Sequence, residues 1–228
     1  MNKKTGIVFV ALGAVLLMAA LLLALYNEYV DLRAGESSHE ILEELQTMID
    51  KRILENREAE RHQSESVSSL ETTETQSIAD AVNDEKPTED PPSEQMYGTM
   101  LVGGYECIGY LDIPKLDLLL PVLSDWDYSR LNAAPCRHFG SVFEDNLVIA
   151  GHNYKRHFSY LSKLSSGDEV KFCDTDGTVH EYTVASVENV NADAVDSVQN
   201  SGHALVLYTC TFVGDVRAVV FCDRVGDV

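Results

Sequence analysis

The sequence predicts a mostly β domain, a closed barrel or a sandwich, carried behind a membrane-crossing helix and a charged stalk. Three observations predict it. Residues 7 to 26 (IVFVALGAVLLMAALLLALY) carry no charge. Residues 27 to 95 are acidic and almost free of aromatic side chains, with 19 acids against 6 bases. From Tyr97 onward, short β-branched runs alternate with Gly, Asp and Pro turn signals, the texture of a strand-rich core. The chain has 228 residues, 45% of them hydrophobic, enough for one domain with extensions. Its net charge of −20 excludes a basic nucleic-acid footprint, which would need Lys and Arg clustered on one face.

The elements follow in order. Twenty uncharged residues make a helix about 30 Å long at 1.5 Å per residue, the thickness of a bilayer's hydrocarbon. Lys3 and Lys4 precede this run and Glu28 and Asp31 follow it, so the positive-inside rule predicts a cytoplasmic tail at 1–6 and an outer location after Tyr26. A cleaved signal peptide is the competing reading, but its apolar core would be shorter, about 7 to 15 residues. Within 27–95, Ile41, Leu45 and Met48 recur at helical spacing with Leu42, Ile49 and Ile53 beside them. That narrow stripe predicts a solvated helical spacer more than a coiled coil, since it spans barely two heptads. Residues 63–95, rich in Ser, Thr and Glu and ending near Pro91-Pro92, predict a disordered, self-repelling linker.

The outer domain, 96–228, contains seven strand-like runs: YECIGYLDIP, LDLLLPVL, NLVIAG, EVKFCDTDG, VHEYTVASVENV, ALVLYTCTF and VRAVVFCDRV. Helical pattern there is confined to short turns near 127–133 and 157–164. The five cysteines, Cys107, Cys136, Cys173, Cys210 and Cys222, are odd in number and lack CxxC spacing, so a closed disulfide framework and a zinc knuckle are both disfavoured. No EF-hand pattern appears, no metal or cofactor is expected, and Glu106, Asp112 and Asp125 read as dispersed surface acids.

Cys210, between Thr209 and Thr211, differs from the other cysteines in what its strand pattern brings near it. If the last two runs form a hairpin turning at Gly214-Asp215, Cys210 and Arg217 are diagonal neighbours on one face; a turn at Val213-Gly214 makes them direct partners. Either arrangement sets a thiol beside a fixed cation; only a three-residue loop without a bulge would place them on opposite faces. A nucleophilic thiol also needs a proton carrier. Of the histidines in this domain, His152 in NLVIAGHNY is the best placed, because it follows a strand at a glycine where the chain leaves the sheet. A histidine in such a place is far more often an ordinary turn residue, and Arg217 has an ordinary alternative too, pairing with Asp215 or Asp223.

Taken together, GYLDIPKL, LLLPVL, IAGHN, LYTC and an arginine opening the last strand, behind a membrane anchor, resemble the sortase family of Gram-positive bacteria. The resemblance spans residues 97–228. It implies an eight-stranded β-barrel and a cysteine transpeptidase with His152, Cys210 and Arg217 as its catalytic groups. It further implies cleavage of an LPxTG-like sorting signal through a thioester at Cys210. The acyl group would pass to an amine, either of the lipid-linked wall precursor or of a pilin lysine, so the expected partners are surface proteins or pilins carrying such a signal. In the family's TLxTC motif the first position is threonine, where this chain has Val206; Leu207, Thr209 and Cys210 match. Thr209 is a further candidate substrate contact, although strand alternation turns it away from Cys210 unless the strand twists or ends there. The remaining cysteines read as packing residues.

Two rivals are set beside this reading. A noncatalytic exported β-barrel binding a surface protein or peptide would keep the groove and tolerate loss of Cys210. An L,D-transpeptidase would show an SHGC-type signature, which is absent. Short segments flanking LYTC leave little room for a long inserted lid and favour a compact housekeeping or pilus-type enzyme.

Overall fold

In a computed structural model the described residues are 3–68, 98–191, 198–210 and 216–226, with side chains described for 7–61, 98–191, 198–209 and 217–226. The linker expected at 63–95 falls mostly outside them. Among the described residues a long helix, α1 (Lys3–Ser68), is followed by nine strands. These are β1 (Met100–Val102), β2 (Tyr105–Ile113), β3 (Leu118–Leu123), β4 (Cys136–Phe139), β5 (Leu147–Gly151), β6 (Glu169–Asp174), β7 (Val179–Asn191), β8 (Leu205–Cys210) and β9 (Val216–Arg224). All seven strand-like runs are strands. The short β1 and β4 were not anticipated, being too brief to show a period. Single 3-10 turns at Arg130–Asn132 and Leu161–Lys163 occupy the two places where helical pattern was expected.

The strands pair in the order β2-β3-β4-β5-β8-β9-β7-β6, and β6 pairs back onto β2. Eight strands therefore close a barrel, with β1 added beside β2 as a ninth, outside the ring. Closure leaves the ring without an exposed sheet edge. Pairing is antiparallel except at β3/β4 and β5/β8, which run parallel.

Alternation along the strands divides the apolar residues into two cores. Leu111, Ile149, Leu207, Val220 and Cys222 point inward with Phe172 and Tyr182 and fill the barrel. Their neighbours in sequence, Val148, Val206, Tyr208, Val219 and Phe221, join a second cluster on the outer face.

The second cluster corrects the reading of the stalk as a solvated spacer. Ile41, Leu45 and Ile49 of α1 are buried in it against Met100, Val102, Cys107 and Leu123. Leu45 is fully buried. The outer barrel face is apolar and requires a cover, and the two-heptad stripe supplies it over β1, β2 and β3. The docked helix also pairs Arg52 with Asp176 at 3.0 Å and lays Ile53 against Gly177, where an added Cβ would come within 2.4 Å of its side chain. N-terminal to this face the apolar run continues the same helix, exposed on all sides and long enough to cross a membrane.

Candidate active site

The parallel β5/β8 pair brings the sequence-predicted residues together. Both strands run toward the same end of the barrel, pairing Leu147 with Leu205 at the start and Gly151 with Thr209 at the finish. Across the other edge of β8, Thr209 faces Ala218 and Cys210 faces Arg217. The next step beyond the row Gly151, Thr209, Ala218 holds His152, Cys210 and Arg217 on three adjacent chains. Of the registers left open by the hairpin argument, direct partnership of Cys210 and Arg217 is the one observed. The turn itself, within 211–215, lies outside the described residues, as does the Cys210 side chain.

His152 owes its placement to the glycine before it. A Cβ at Gly151 would sit 2.3 Å from the Phe158 ring, so the loop folds back over the strand end only because that position is bare. Phe158 N–H then donates to the His152 carbonyl at 3.2 Å. The imidazole lies flat on Tyr154, with centroids 4.0 Å apart and planes 3° from parallel. Tyr154 is fixed in turn by its hydroxyl, which donates to Asn132 Oδ1 at 2.8 Å. Partial burial lowers the His152 pKa from its ordinary value, because the charged ring loses solvation.

Arg217 lies over the Tyr208 ring, Cζ to centroid 5.2 Å. Its Nε is buried and unpartnered among the described residues, and no ion pair is formed with Asp223, which instead meets His203 at 2.6 Å. The Tyr208 hydroxyl pairs with His138 Nδ1 at 3.0 Å. Burial, and secondarily the nearby Arg217 charge, lower the His138 pKa. Trp126 packs on His138 at 5.5 Å and remains exposed, continuing the aromatic wall outward to Tyr128. Sequence reasoning missed Tyr208, His138 and Trp126. Period-two alternation within LYTC already placed Tyr208 on the same side of the strand as position 210; His138 and Trp126 carried no comparable signal.

Thr209 is buried and shares its strand parity with Leu205 and Leu207 of the barrel interior, so the structure does not bring it to the side of the strand that position 210 shares with Tyr208. Cys107, Cys136, Cys173 and Cys222 are buried and free. Desolvation pushes the Cys107, Cys136 and Cys222 thiols up to about 12 and raises Cys173 as well, which makes poor nucleophiles of all four. Among the described residues no group of three or more His, Cys, Asp or Glu side chains is arranged to hold a metal ion.

A family model described as a sortase domain matches residues 111–225. Among solved structures, sortase C1 from Streptococcus agalactiae is 26% identical, with a TM-score of 0.47 over 54% of this chain and 69% of that one. A Clostridium perfringens sortase D5 transpeptidase is 24% identical, with a TM-score of 0.47 over 53% and 79%. Sortase C from Clostridium perfringens with the C-terminal cell wall sorting motif is 21% identical, with a TM-score of 0.46 over 52% and 70%. No curated protein matches the sequence.

Proposed function

The chain belongs to the sortase family of cysteine transpeptidases, and from that premise we propose that His152, Cys210 and Arg217 are its catalytic groups. The observation that carries the reading is the row of pairings ending at Gly151, Thr209 and Ala218, which sets these three residues on neighbouring chains at one barrel end.

The Cys210 thiolate attacks the carbonyl carbon after Thr in an LPxTG-like signal, forming a carbon–sulfur bond. Collapse of the tetrahedral species breaks the carbon–nitrogen bond, and His152 gives its proton to the departing amine. An incoming amine then attacks the thioester, its proton passes to His152, and Cys210 leaves as thiolate. Arg217 donates to the substrate carbonyl or its oxyanion, and its Nε, without a hydrogen-bond partner among the described residues, supports that role as a fixed donor near a developing charge. Partial burial keeps His152 largely neutral near pH 7, so only a fraction of molecules holds imidazolium and thiolate together and turnover is slow.

The substrates are surface proteins or pilins carrying the signal, and the acceptor is an amine of the wall precursor or of a pilin. Residues 7–26 anchor the enzyme with 1–6 in the cytoplasm, and the outer portion comprises 27–95 and the barrel domain 96–228.

Intact-mass analysis of the detergent-solubilised full chain, incubated with LPxTG-like peptides and no amine, tests this. An acyl adduct is expected that Cys210→Ala abolishes and that persists when Cys107, Cys136, Cys173 or Cys222 becomes Ala. Arg217→Lys keeps the charge but loses the planar fork, and is expected to lose most of the turnover. The pH profile of kcat/KM is expected to be bell-shaped, with the limb owed to His152 below an ordinary histidine's 6.5. A wild type that binds a cognate peptide yet never forms a thioester, with Cys210→Ser binding equally well, would instead establish a noncatalytic peptide-binding barrel.

A further inference from the structure

The loop after His152 is held by the anchor helix as well as by the barrel. Asp31, buried on α1, accepts a hydrogen bond from the Lys155 backbone N–H at 2.6 Å. Glu28 pairs with Lys155 Nζ at 2.6 Å. The stem of Arg156 crosses Gly35, so closely that a Cβ there would stand 2.0 Å from Arg156 Cδ. Ser38, also buried, meets His157 Nε2 at 2.7 Å and donates to the Ala133 carbonyl at 2.5 Å. Positions 28, 31, 35 and 38 lie three or four apart and so occupy one face of the helix. One helical face therefore holds three consecutive loop residues, 155 to 157.

Those residues sit between the two contacts that place the catalytic imidazole. Tyr154, one residue before them, stacks on His152, and Phe158, one residue after, bonds its carbonyl and packs under Gly151. We propose that Asp31 and Ser38 are positioning residues for the reaction, and that the segment continuing the membrane anchor is a working part of the active site. The proposal rests on the reading of His152 as the acid and base. It differs from a general stabilising role, because Asp31 bonds the backbone amide of the residue next to Tyr154, the imidazole's stacking partner, where a displacement of about 1 Å can cost on the order of a hundredfold in rate. Asp31 begins roughly 8 Å beyond Tyr26 along the helix, so the site is coupled to the membrane through one rigid element.

The test uses the full chain in detergent micelles. Asp31→Ala removes the acceptor, and Asp31→Asn restores an oxygen without the charge. Turnover of a sorting peptide is expected to fall about a hundredfold in kcat in the alanine variant, with KM within about twofold, and to recover to within a few-fold of wild type in the asparagine variant. A second readout needs no turnover. Protons of an imidazole stacked on Tyr154 are displaced upfield by the ring current; the resonance is identified by its loss in His152→Gln. Asp31→Ala and Ser38→Ala are each expected to move it toward the free-imidazole position while the melting temperature shows a folded protein. An unmoved resonance in both variants, or equal loss of kcat in Asp31→Ala and Asp31→Asn, overturns the proposal. A resonance that moves as expected in an enzyme that acylates no peptide supports the positioning and overturns the catalytic reading instead.

Discussion

The barrel interior and the barrel's outer face are built from the same strands, yet they are completed differently. Inside, Phe172, Tyr182, Leu111 and Ile149 meet side chains from other strands and from the loop residue Phe158, and the strands close the core themselves. Outside, Val148, Val206, Val219 and Phe221 belong to a core completed from beyond the ring, by Met100 and Val102 of β1, by Leu131, Ala133 and Ala134 before β4, and by Ile41, Leu45 and Ile49 of α1. Beyond the helix's cover, the same outer-facing series continues into Tyr208 with His138, and then into Arg217. The interior is filled by apolar side chains, whereas the outer-facing series ends in the half-buried His138 and Arg217.

The comparison is sharpened first by truncating one side chain from each core. Phe172→Ala in the interior is expected to cost about 3–5 kcal/mol, and Leu45→Ala on α1 about 2–5 kcal/mol. Both side chains are fully buried. Denaturant unfolding of the full chain measures both; a Leu45→Ala cost within about 0.5 kcal/mol would mean that α1 is solvated and the outer face is not a core.

Acid distinguishes the two regions next. His157, fully buried beside Ser38, has its pKa lowered to about 4 from 6.5, first by desolvation and then by His152. The folded state holds it neutral, whereas the unfolded chain protonates it near 6.5, so the unfolded state binds more protons in between. Stability owed to this group is complete above pH 6.5 and is lost progressively as pH falls toward 4, on the order of 3 kcal/mol. A His157→Gln variant is expected to show a flatter melting temperature between pH 7 and 4.5; an unchanged slope assigns the acid sensitivity elsewhere.

Gly151→Ala probes the junction of the regions. The added methyl collides with the Phe158 ring, and overpacking of this kind costs about 1–3 kcal/mol. Activity is expected to fall more than stability, because the collision lies next to His152. Full activity would show that the loop relocates without moving the imidazole. Lys51→Ala, which removes only the exposed Lys51–Glu55 pair on α1, is the smallest effect, within about 0.5 kcal/mol by the same unfolding measurement.

Much of this was legible in the residues. Short apolar or alternating β-branched runs bounded by turn signals located the seven longer strands, including LVIAG, which is buried along its whole length and does not alternate in polarity. Period-two alternation set the parity of Tyr208, Cys210 and Arg217 and separated Cys222 from them. The uncharged run 7–26 announced an anchor by length alone. Gly151 before His152 marked a place where the chain leaves the sheet, although its close approach to Phe158 was not foreseeable.

What only the tertiary structure decided was partnership. A parallel pair such as β5 and β8 leaves no mark in sequence, since its strands are separated by other elements and share no turn, yet it is this pair that brings His152 beside Cys210. The strand pattern left barrel and sandwich equally open until β6 closed on β2. An amphipathic stripe states that a face must be covered but not by what, so the stripe of α1 read as a spacer until the barrel's outer face was seen to receive it. Hydrogen bonds such as Asp31 to Lys155 depend on where two distant segments meet, and that is set by long-range packing, not by local pattern.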